Sequence, residues 1–579
     1  MRSVVITPQD AATDEIIARY QSEPAPLLPI LHALQELDGY LREAALAVVA
    51  DRLKIEPGDL YGTVTFYHYF RLEPGHTLAY CDGPACRLNL ERGGEGEIVM
   101  ALGGDGHGQA EPIPCPGRCD RPNAVMKDGK FLEGCTRGRI TGASVSPAAD
   151  GPVILRHAKS PDQKSLAPAR ARGAYTQLAR KLSAEEVIKT LEAAGLAGRG
   201  GAGFPAHIKW TAVRAAVGAP KYLVVNADEG EPATFKDRVI LEHDPHLLIE
   251  GMAIAASAIG ACEAFIYLRY EYPEALAVLA NAINEATAAG LLGNLKIYLR
   301  RGAGAYICGE ETSLLNSLEG KRPFPRDKPP LPVHSGLFGK PTLISNVETL
   351  AVVPRILELG AEKWKALGRN GKPGTKLYSL SGDVQRPGNY EAPFGITVRE
   401  LIHDYGGGPR PGRTVQAFTM GGLSGGMLPA SEIDLALDFD APKLKGTMLG
   451  SGGLVVIDDS RCPVDLVRGA MQFFRDESCG KCFPCRVGSQ RIVERLDLLA
   501  TKGLDDIRFN ELPEIAELMT RMSACGLGVA APSALVHLLK WFPEEVAAHR
   551  KGGCARGVCS QRPQVISSAI AERRGQASF

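Results

Sequence analysis

Apolar residues recur at three- and four-residue steps early in the chain. Leu31, Leu34, Leu37 and Leu41 lie on one stripe, which predicts a helical lead-in, and Gly39 marks a break within it. Near residues 77–80 the period shortens into a strand that runs into Cys81. Residues 81–140 then alternate short apolar runs with Gly and Pro clusters, the texture of a second small domain. Residues 141–172 lose periodicity and gain Ala, Pro and Ser, which reads as a linker. Between 220 and 300 the pattern alternates: strand 222–226, helix 245–259, strand 264–268, helix 273–289, strand 295–299. This βαβαβ order predicts a parallel sheet. Asp244 and Pro245 mark the start of the first of these helices, and Gly260 and Gly290 the ends of the two. Short β-like runs return over 376–455. The pattern is helical again over 462–545, with residues 479–485 in a turn between helices.

At 579 residues the chain exceeds one hydrophobic core, since domains average roughly 150 residues. Its 45% apolar and 23% charged residues, with 65 Gly and 40 Pro, describe a loop-rich globular protein. The 66 basic and 66 acidic residues cancel, so no electrostatic footprint for nucleic acid or anionic lipid is expected. The first twenty residues lack a basic segment followed by an apolar one, which predicts no secretory signal and a cytoplasmic location. The longest apolar passage, 252–268, is broken by Ser257, Gly260 and Glu263. It falls short of the roughly 20 residues that span a bilayer, so no membrane insertion is expected.

Fourteen cysteines in a reducing compartment point to ligand roles rather than to disulfides. Cys479, Cys482 and Cys485 form C-x2-C-x2-C in ESCGKCFPC, and Cys525 follows downstream. Two-residue gaps wrap three thiolates around one face of a 4Fe-4S cubane, and a distant fourth closes it. Zinc is the competing ligand, although zinc sites more often pair two C-x2-C halves. Cys81 with Cys86, and Cys115 with Cys119, form two pairs suited to a 2Fe-2S cluster, again with zinc as the alternative. Of the rest, Cys262 and Cys308 read as small core residues. Cys135 and Cys462 have no readable partner. His549, Cys554 and Cys559 form H-x4-C-x4-C, read as a flexible tail with free thiols in preference to a metal or docking site.

The run GRGGAGFPAHIKW at 198–210 lets backbone approach a phosphate or a flat ring. It precedes its strand, so the usual dinucleotide fingerprint does not apply. At the carboxyl end of the strand stand Asn226, Asp228, Glu229 and Glu231, where open α/β sheets bind ligands. After the third strand come Gly302, Gly304, Gly309, Glu310 and Glu311, and the two loops are expected to converge on one crevice.

GRGGAGFP, NADEGEPATFKDR, GAYICGEET, KPPLPVHSGLFGKPTLISNVETL and ESCGKCFPC, in this order, resemble the flavoprotein subunit shared by respiratory complex I, NAD-reducing hydrogenases and NAD-dependent formate dehydrogenases. The first 140 residues, with LYGTVTFYHYF and both cysteine pairs, resemble its thioredoxin-like 2Fe-2S companion, here fused. The resemblance implies a multidomain α/β chain: an N-terminal helical segment (1–75), a thioredoxin-like domain (76–140), a linker (141–180), and a Rossmann-like domain for FMN and NAD(H) (181–365). A β-grasp (ubiquitin-like) domain (366–457), a helical 4Fe-4S domain (458–550) and a tail (551–579) follow.

By the same resemblance, Gly198, Arg199, Gly200, Gly201, Lys209, Asn226, Asp228, Glu229, Tyr306, Gly309, Glu310 and Asn346 match positions around FMN. Ser345 stands there in place of a commoner Asn. Phe204, Glu231, Glu311 and Lys328 match positions that hold the nicotinamide nucleotide, while Ala212 and Leu331 replace aromatics of that pocket. The implied activity is hydride exchange between NAD(H) and FMN, with single electrons passing through the clusters and no proton-donating side chain.

Within the family, the fusion and the segments HDPHLLIEGM, IYLRYEYP, GGLSGGMLPAS and ACGLGVAAPSALVHLLKWFPEE look most like the formate dehydrogenase β subunit. That implies a catalytic α subunit carrying molybdenum or tungsten and further iron-sulfur clusters, in an assembly open to higher oligomers. A hydrogenase diaphorase subunit and a fused complex I subunit are the alternatives within the family. A flavin-free electron relay is the alternative outside it.

Overall fold

The computed structural model describes residues 8–75, 78–89, 110–121, 124–127, 130–131, 152–552, 554 and 556–559. Cys135 lies outside the described residues. The architecture is multidomain α/β, with thioredoxin-like, Rossmann-like, β-grasp-like and helical parts.

Strands β5 (Tyr222–Ala227), β6 (Glu263–Leu268), β7 (Lys296–Arg301) and β8 (Thr342–Asn346) form a sheet of order β7-β6-β5-β8 in which every pairing is parallel. Their side chains alternate between two cores, as the two-residue period of a strand requires. Leu223, Val225, Ile266, Leu268 and Leu343 face helices Pro245–Ile259 and Val347–Leu359. These helices cross so closely that a Cβ at Gly251 would stand 2.1 Å from the Leu350 carbonyl oxygen. Tyr222, Val224, Phe265, Tyr267 and Ile344 face the other way, onto Leu27, Leu28, Ile30, Leu31, Leu34, Val64 and Tyr67. The helical lead-in is therefore the second cover of the sheet, and a parallel sheet needs both faces covered. Gly39 ends helix Leu27–Asp38 at φ +79°, and Leu37 is exposed, off the stripe that Leu31, Leu34 and Leu41 bury.

Strands β1 (Leu78–Cys81), β2 (Ala110–Ile113), β3 (Val125–Lys127) and β4 (Lys130–Phe131) form the thioredoxin-like sheet, of order β2-β1-β3-β4. Strands β9 (Thr375–Gly382), β10 (Gly388–Pro393), β11 (Val415–Thr419), β12 (Met427–Pro429) and β13 (Gly453–Asp458) form the third sheet, of order β10-β9-β13-β11-β12. Helices Pro463–Asp476, Phe483–Thr501, Asp506–Met522, Ser533–Trp541 and Pro543–Arg550 build the C-terminal part.

Three expectations need correction. The stretch from residue 152 is not a free linker. The backbone N–H groups of Val153, Ile154 and Leu155 donate to the buried Glu391 carboxylate on β10 at 2.9–3.1 Å, and their side chains enter the core. Composition registers the Pro, Ala and Ser here but not the backbone donors that a buried carboxylate collects. The segment after residue 550 is not a free tail as far as it is described, because Cys559 is buried in the core of the helical domain. Cys308 is buried, but Cys262 is exposed, in the turn that links helix Pro245–Ile259 to β6. Among the described residues, no helix is long and apolar enough to cross a membrane.

Candidate functional site

The carboxyl ends of β5, β7 and β8 carry the loops singled out by sequence. Asn226, at the end of β5, donates through Nδ2 to the Gly309 carbonyl at 2.8 Å, and its Oδ1 accepts from the Asp228 N–H at 3.1 Å. One side chain thus ties the loop after β5 to the loop after β7. The glycine loop is pinched by a bridge between Ala197 and Pro205 and by Gly198 N–H donating to the Phe204 carbonyl at 2.8 Å. It lies on the end of β8, where a Cβ at Gly200 would stand 3.1 Å from that of Asn346, and Gly201 adopts φ +134°. Asn346 caps helix Val347–Leu359 through its Oδ1, and half-buried Ser345 precedes it.

Asp228 is the informative member of this group. Burial pushes its carboxyl well above the ordinary range, and Oδ2 has no hydrogen-bond partner among the described residues. Buried polar oxygens are nearly always satisfied, so an orphaned acceptor at the carboxyl edge of a parallel sheet suits the hydroxyls of a ribityl chain. The glycine loop offers unobstructed backbone beside it. These residues fit a flavin mononucleotide.

The outer rim is charged. Lys209 lies 3.1 Å from Glu311, and Lys328 lies 3.0 Å from both Glu310 and Glu311. Glu310 also caps helix Glu311–Leu318 through the N–H groups of Thr312 and Ser313. Phe204, on the glycine loop, is 52% exposed, and Leu331 is exposed as well, while Ala212 packs against the core. Phe204 is thus an exposed ring on this rim. Phe204→Ala is expected to raise KM for NADH roughly tenfold, with kcat for dye reduction nearly unchanged, because stacking on an aromatic face is worth about 1–3 kcal/mol. Steady-state kinetics of the full chain check this, and an unaltered KM removes Phe204 from the site.

Three predicted residues direct their side chains elsewhere. Arg199 is buried, with its guanidinium 4.0 Å from Glu348 and 5.3 Å from the Phe394 ring centroid, and its backbone N–H donates to Thr349. Glu229 accepts from the Asp237 N–H and the Tyr272 hydroxyl, and burial raises its carboxyl to about 7. Glu231 takes the Tyr306 hydroxyl at 2.5 Å, the Ser424 hydroxyl at 2.6 Å, and the N–H groups of Leu423 and Ser424.

A buried charge cluster behind the crevice has only a weak sequence signal, the Lys236 and Asp237 of TFKDR. Lys236 Nζ lies 2.6 Å from Asp237 and 3.0 Å from Glu348, and Lys376 Nζ lies 3.2 Å from Glu348. Asp237 in turn accepts from Asn346 Nδ2 at 2.6 Å, so the cluster braces the end of β8. Burial opposes the charge on Glu348, yet Lys376, Lys236 and Arg199 hold its carboxyl down to about 2.

The structure brings each cysteine set into one region. Cys81 ends β1, Cys86 lies in helix Pro84–Asn89, and Cys115 and Cys119 follow β2; all four share one buried apolar cluster, with Cys115 Sγ 3.3 Å from Cys119 Sγ. Cys479, Cys482, Cys485 and Cys525 gather in the C-terminal core. Cys482 and Cys525 occupy N-caps, burial raises the Cys525 thiol, and a Cβ at Gly528 would stand 3.0 Å from that of Cys485. Burial pushes the Cys485 thiol up to about 12, a proton that a metal must displace.

Tyr306 joins the crevice to this cluster. Its N–H donates to Glu477, two residues before Cys479, and its ring meets Phe473 edge-on at 5.2 Å. On the opposite side, Arg238 and Arg269 donate to the carbonyls of Gly117 and Cys115, which docks the other cysteine loop against the nucleotide domain. A separate crevice lined by His68, Gly83, Cys115, Phe473 and Glu477 opens between the two cysteine-rich domains.

Comparison with known proteins matches each part. Residues 191–355 fit the Nuo51 FMN-binding domain, 465–549 the NADH-ubiquinone oxidoreductase-F iron-sulfur binding region, 13–143 a thioredoxin-like [2Fe-2S] ferredoxin, and 377–427 an SLBB domain. An NADH-quinone oxidoreductase subunit of Rhizobium meliloti is 46% identical over 409 residues, which cover 69% of this chain and 97% of the relative. The chain belongs to the family of FMN-binding, iron-sulfur subunits of NADH-quinone oxidoreductase. The NADP-reducing hydrogenase subunit HndC of Solidesulfovibrio fructosivorans is 42% identical, over 69% of this chain and 83% of its own. A chain of the NAD+-reducing [NiFe]-hydrogenase, in its H2-reduced crystal structure, superposes with a TM-score of 0.80. It is 31% identical, and the match covers 91% of this chain and 93% of that one.

As a family member, the chain is an FMN and iron-sulfur NAD(H) oxidoreductase subunit, with binding regions for FMN, a 4Fe-4S cluster and a 2Fe-2S cluster. The expectation of a formate dehydrogenase β subunit does not stand. The similar proteins are subunits of NADH-quinone oxidoreductase and of NAD(P)-linked hydrogenases, and none of these findings supports a molybdenum or tungsten partner. Two of the segments read as marking that branch have scaffold roles: HDPHLLIEGM opens a helix of the sheet's cover, and GGLSGGMLPAS forms the turn that holds Glu231.

Proposed function

We propose that this chain is the diaphorase subunit of a hydrogenase-type complex, exchanging electrons between NAD(H) and a partner subunit that handles hydrogen. The observation that carries this reading is the extent of the hydrogenase match. It reaches 91% of this chain and so takes in the fused N-terminal part, whereas the match to the Rhizobium meliloti relative covers 69%. A fused NADH dehydrogenase subunit delivering electrons toward quinone is the second reading, favoured by the 46% identity across the flavoprotein part.

In this reading Gly198, Gly200, Gly201, Asn226, Asp228, Gly309 and Asn346 hold FMN. Phe204, Lys209, Glu310, Glu311 and Lys328 present the rim to the nicotinamide nucleotide. Bound FMN supplies the conversion between two-electron hydride transfer and single-electron steps. The protein's part is placement. The Asn226 bond to Gly309 fixes the two loops, Phe204 orients a planar ring, and Tyr306 sets the crevice against the aromatic wall of Phe473 that leads to Cys479, Cys482, Cys485 and Cys525. Cys81, Cys86, Cys115 and Cys119 hold the second cluster.

Purification of the full chain with its native partners, followed by parallel assays, tests the proposal. Hydrogen-dependent NAD+ reduction supports it. NADH-dependent quinone reduction without hydrogen activity replaces it with the second reading, and NADH:dye activity with neither overturns the hydrogen-handling partner. A complex with both clusters but without flavin or dye activity overturns the diaphorase role itself.

A further inference from the structure

Cys462 and Cys559 are 97 positions apart in the sequence, yet their Sγ atoms lie 3.3 Å apart. His549 Nε2 lies 3.4 Å from each of them. With Cys554 the group offers four donor atoms, all within 4.8 Å of one another. Cys462, His549 and Cys559 are 2%, 1% and 1% exposed, and Cys554 is half-buried. None of the four belongs to either cysteine set described above.

Several contacts show that the group is held in place. His549 Nδ1 lies 2.6 Å from the Glu545 carbonyl, which can only accept, so Nδ1 carries the proton and Nε2 turns its lone pair to the thiols. The Gly557 N–H donates to the Cys554 carbonyl at 2.9 Å with Gly557 at φ +63°, a turn that brings Cys554 and Cys559 to one point. Arg556 pairs with the Glu545 carboxylate and donates to the Asp459 carbonyl, clamping this turn to both the His549 helix and the strand end before Cys462. Cys462 is the N-cap of helix Pro463–Asp476, where the helix dipole offsets thiolate charge.

We propose that Cys462, His549, Cys554 and Cys559 bind a single Zn2+ ion in a closed Cys3His structural site. Zn–S bonds of about 2.3 Å and a Zn–N bond of about 2.0 Å in a tetrahedron set the ligand atoms between about 3 and 4 Å apart. Donors confined within 4.8 Å therefore match one ion. A multi-iron cluster divides its four protein ligands among two or four irons, so all four donor atoms do not converge on one point. Soft thiolates exclude Mg2+ and Ca2+, and Zn2+ outcompetes Fe2+ at such donors. Four protein ligands leave no open position, so the ion staples rather than catalyses. It fastens the returning C-terminal segment to the start of the helix whose far end carries Phe473 and Phe474.

Metal analysis of the full chain, purified with its partners and without added zinc, tests this. One zinc per chain is expected in addition to the cluster iron, with a zinc-edge absorption shell of three sulfurs and one nitrogen. His549→Ala and Cys559→Ser are expected to lose that zinc and to be cleaved faster by protease near the C-terminus, with iron content and NADH:dye activity retained. The exposed Cys262→Ser keeps it. The edge spectrum of the wild type stands without any variant. Absence of zinc, an oxygen-dominated shell, iron in its place, a Cys462–Cys559 disulfide in the native protein, or zinc retained in both variants would each overturn the site.

Discussion

Replacing Cys525 by serine is expected to remove the 4Fe-4S cluster and to bring NAD+ reduction by the partner's electrons to background, while NADH:dye activity at the flavin persists. In the proposed ligand set Cys525 joins three thiols that sit within one seven-residue stretch, and it stands at the N-cap of helix Gly526–Ala530. Cys479, Cys482 and Cys525 are half-buried, so a cluster with three thiolates meets water on its open corner. Electron paramagnetic resonance of the NADH-reduced protein and its iron content give the readout. The cubane signal is expected to vanish and the 2Fe-2S signal to remain. An unchanged spectrum would remove Cys525 from the ligand set.

Glu348→Gln is expected to destabilise the nucleotide domain by about 3–5 kcal/mol, since removing one partner of a buried ion cluster leaves the others uncompensated. Lys236, Lys376 and Arg199 all surround Glu348 with negligible exposure. For a domain of this size the loss corresponds to a fall in unfolding midpoint of roughly 10 °C. The pH dependence has a definite sign. Glu348 titrates near 2 in the fold against an ordinary 4.5, so its stabilisation is complete above about 4.5 and is lost as pH falls through about 2. Lys376 moves the opposite way. Burial, with Lys236 and Arg199 adding to it against the pull of Glu348, lowers it from 10.5 to about 7.

Between about pH 7 and 10.5 the unfolded chain therefore binds the proton that the fold has released, and stability rises with pH; below about 7 the full cost of burying the ammonium is present. Lys376→Met is expected to abolish that alkaline rise and to cost far less than Glu348→Gln. Denaturant unfolding followed across this range decides the point, and equal losses in the two variants would contradict the assignment of charge within the cluster.

Both cysteine sets and the parallel sheet were legible in the sequence because their signals are local. C-x2-C-x2-C carries its signal within seven residues, and the strand at 222–226 announces itself by the apolar run Tyr222–Val225. The buried charges were not legible. Lys236, Asp237 and Glu348 look like ordinary surface residues until the fold shows that they neutralise one another. Arg199, Glu229 and Glu231 lie in the expected motifs, yet their side chains brace neighbouring loops. Motif membership places a backbone position but does not set the direction of a side chain.

The partner reading failed for a related reason. Two of the segments taken as marks of the formate branch, HDPHLLIEGM and GGLSGGMLPAS, belong to the sheet's cover and to the turn around Glu231, and such scaffold does not by itself name the electron donor.

By itself the sequence determined the order of strands and helices along β5 to β7, the cysteine spacings, and the broad flavoprotein family without the branch inside it. Each of these depends on spacing within a few tens of residues. Tertiary structure alone decided that the N-terminal helices cover the second face of the sheet, that residues 152–155 are held by Glu391, and that Cys462 meets His549, Cys554 and Cys559. In each case the partners lie tens to hundreds of positions apart. Which apolar face or buried donor meets which is settled by the packing of the whole chain, not by any window along it.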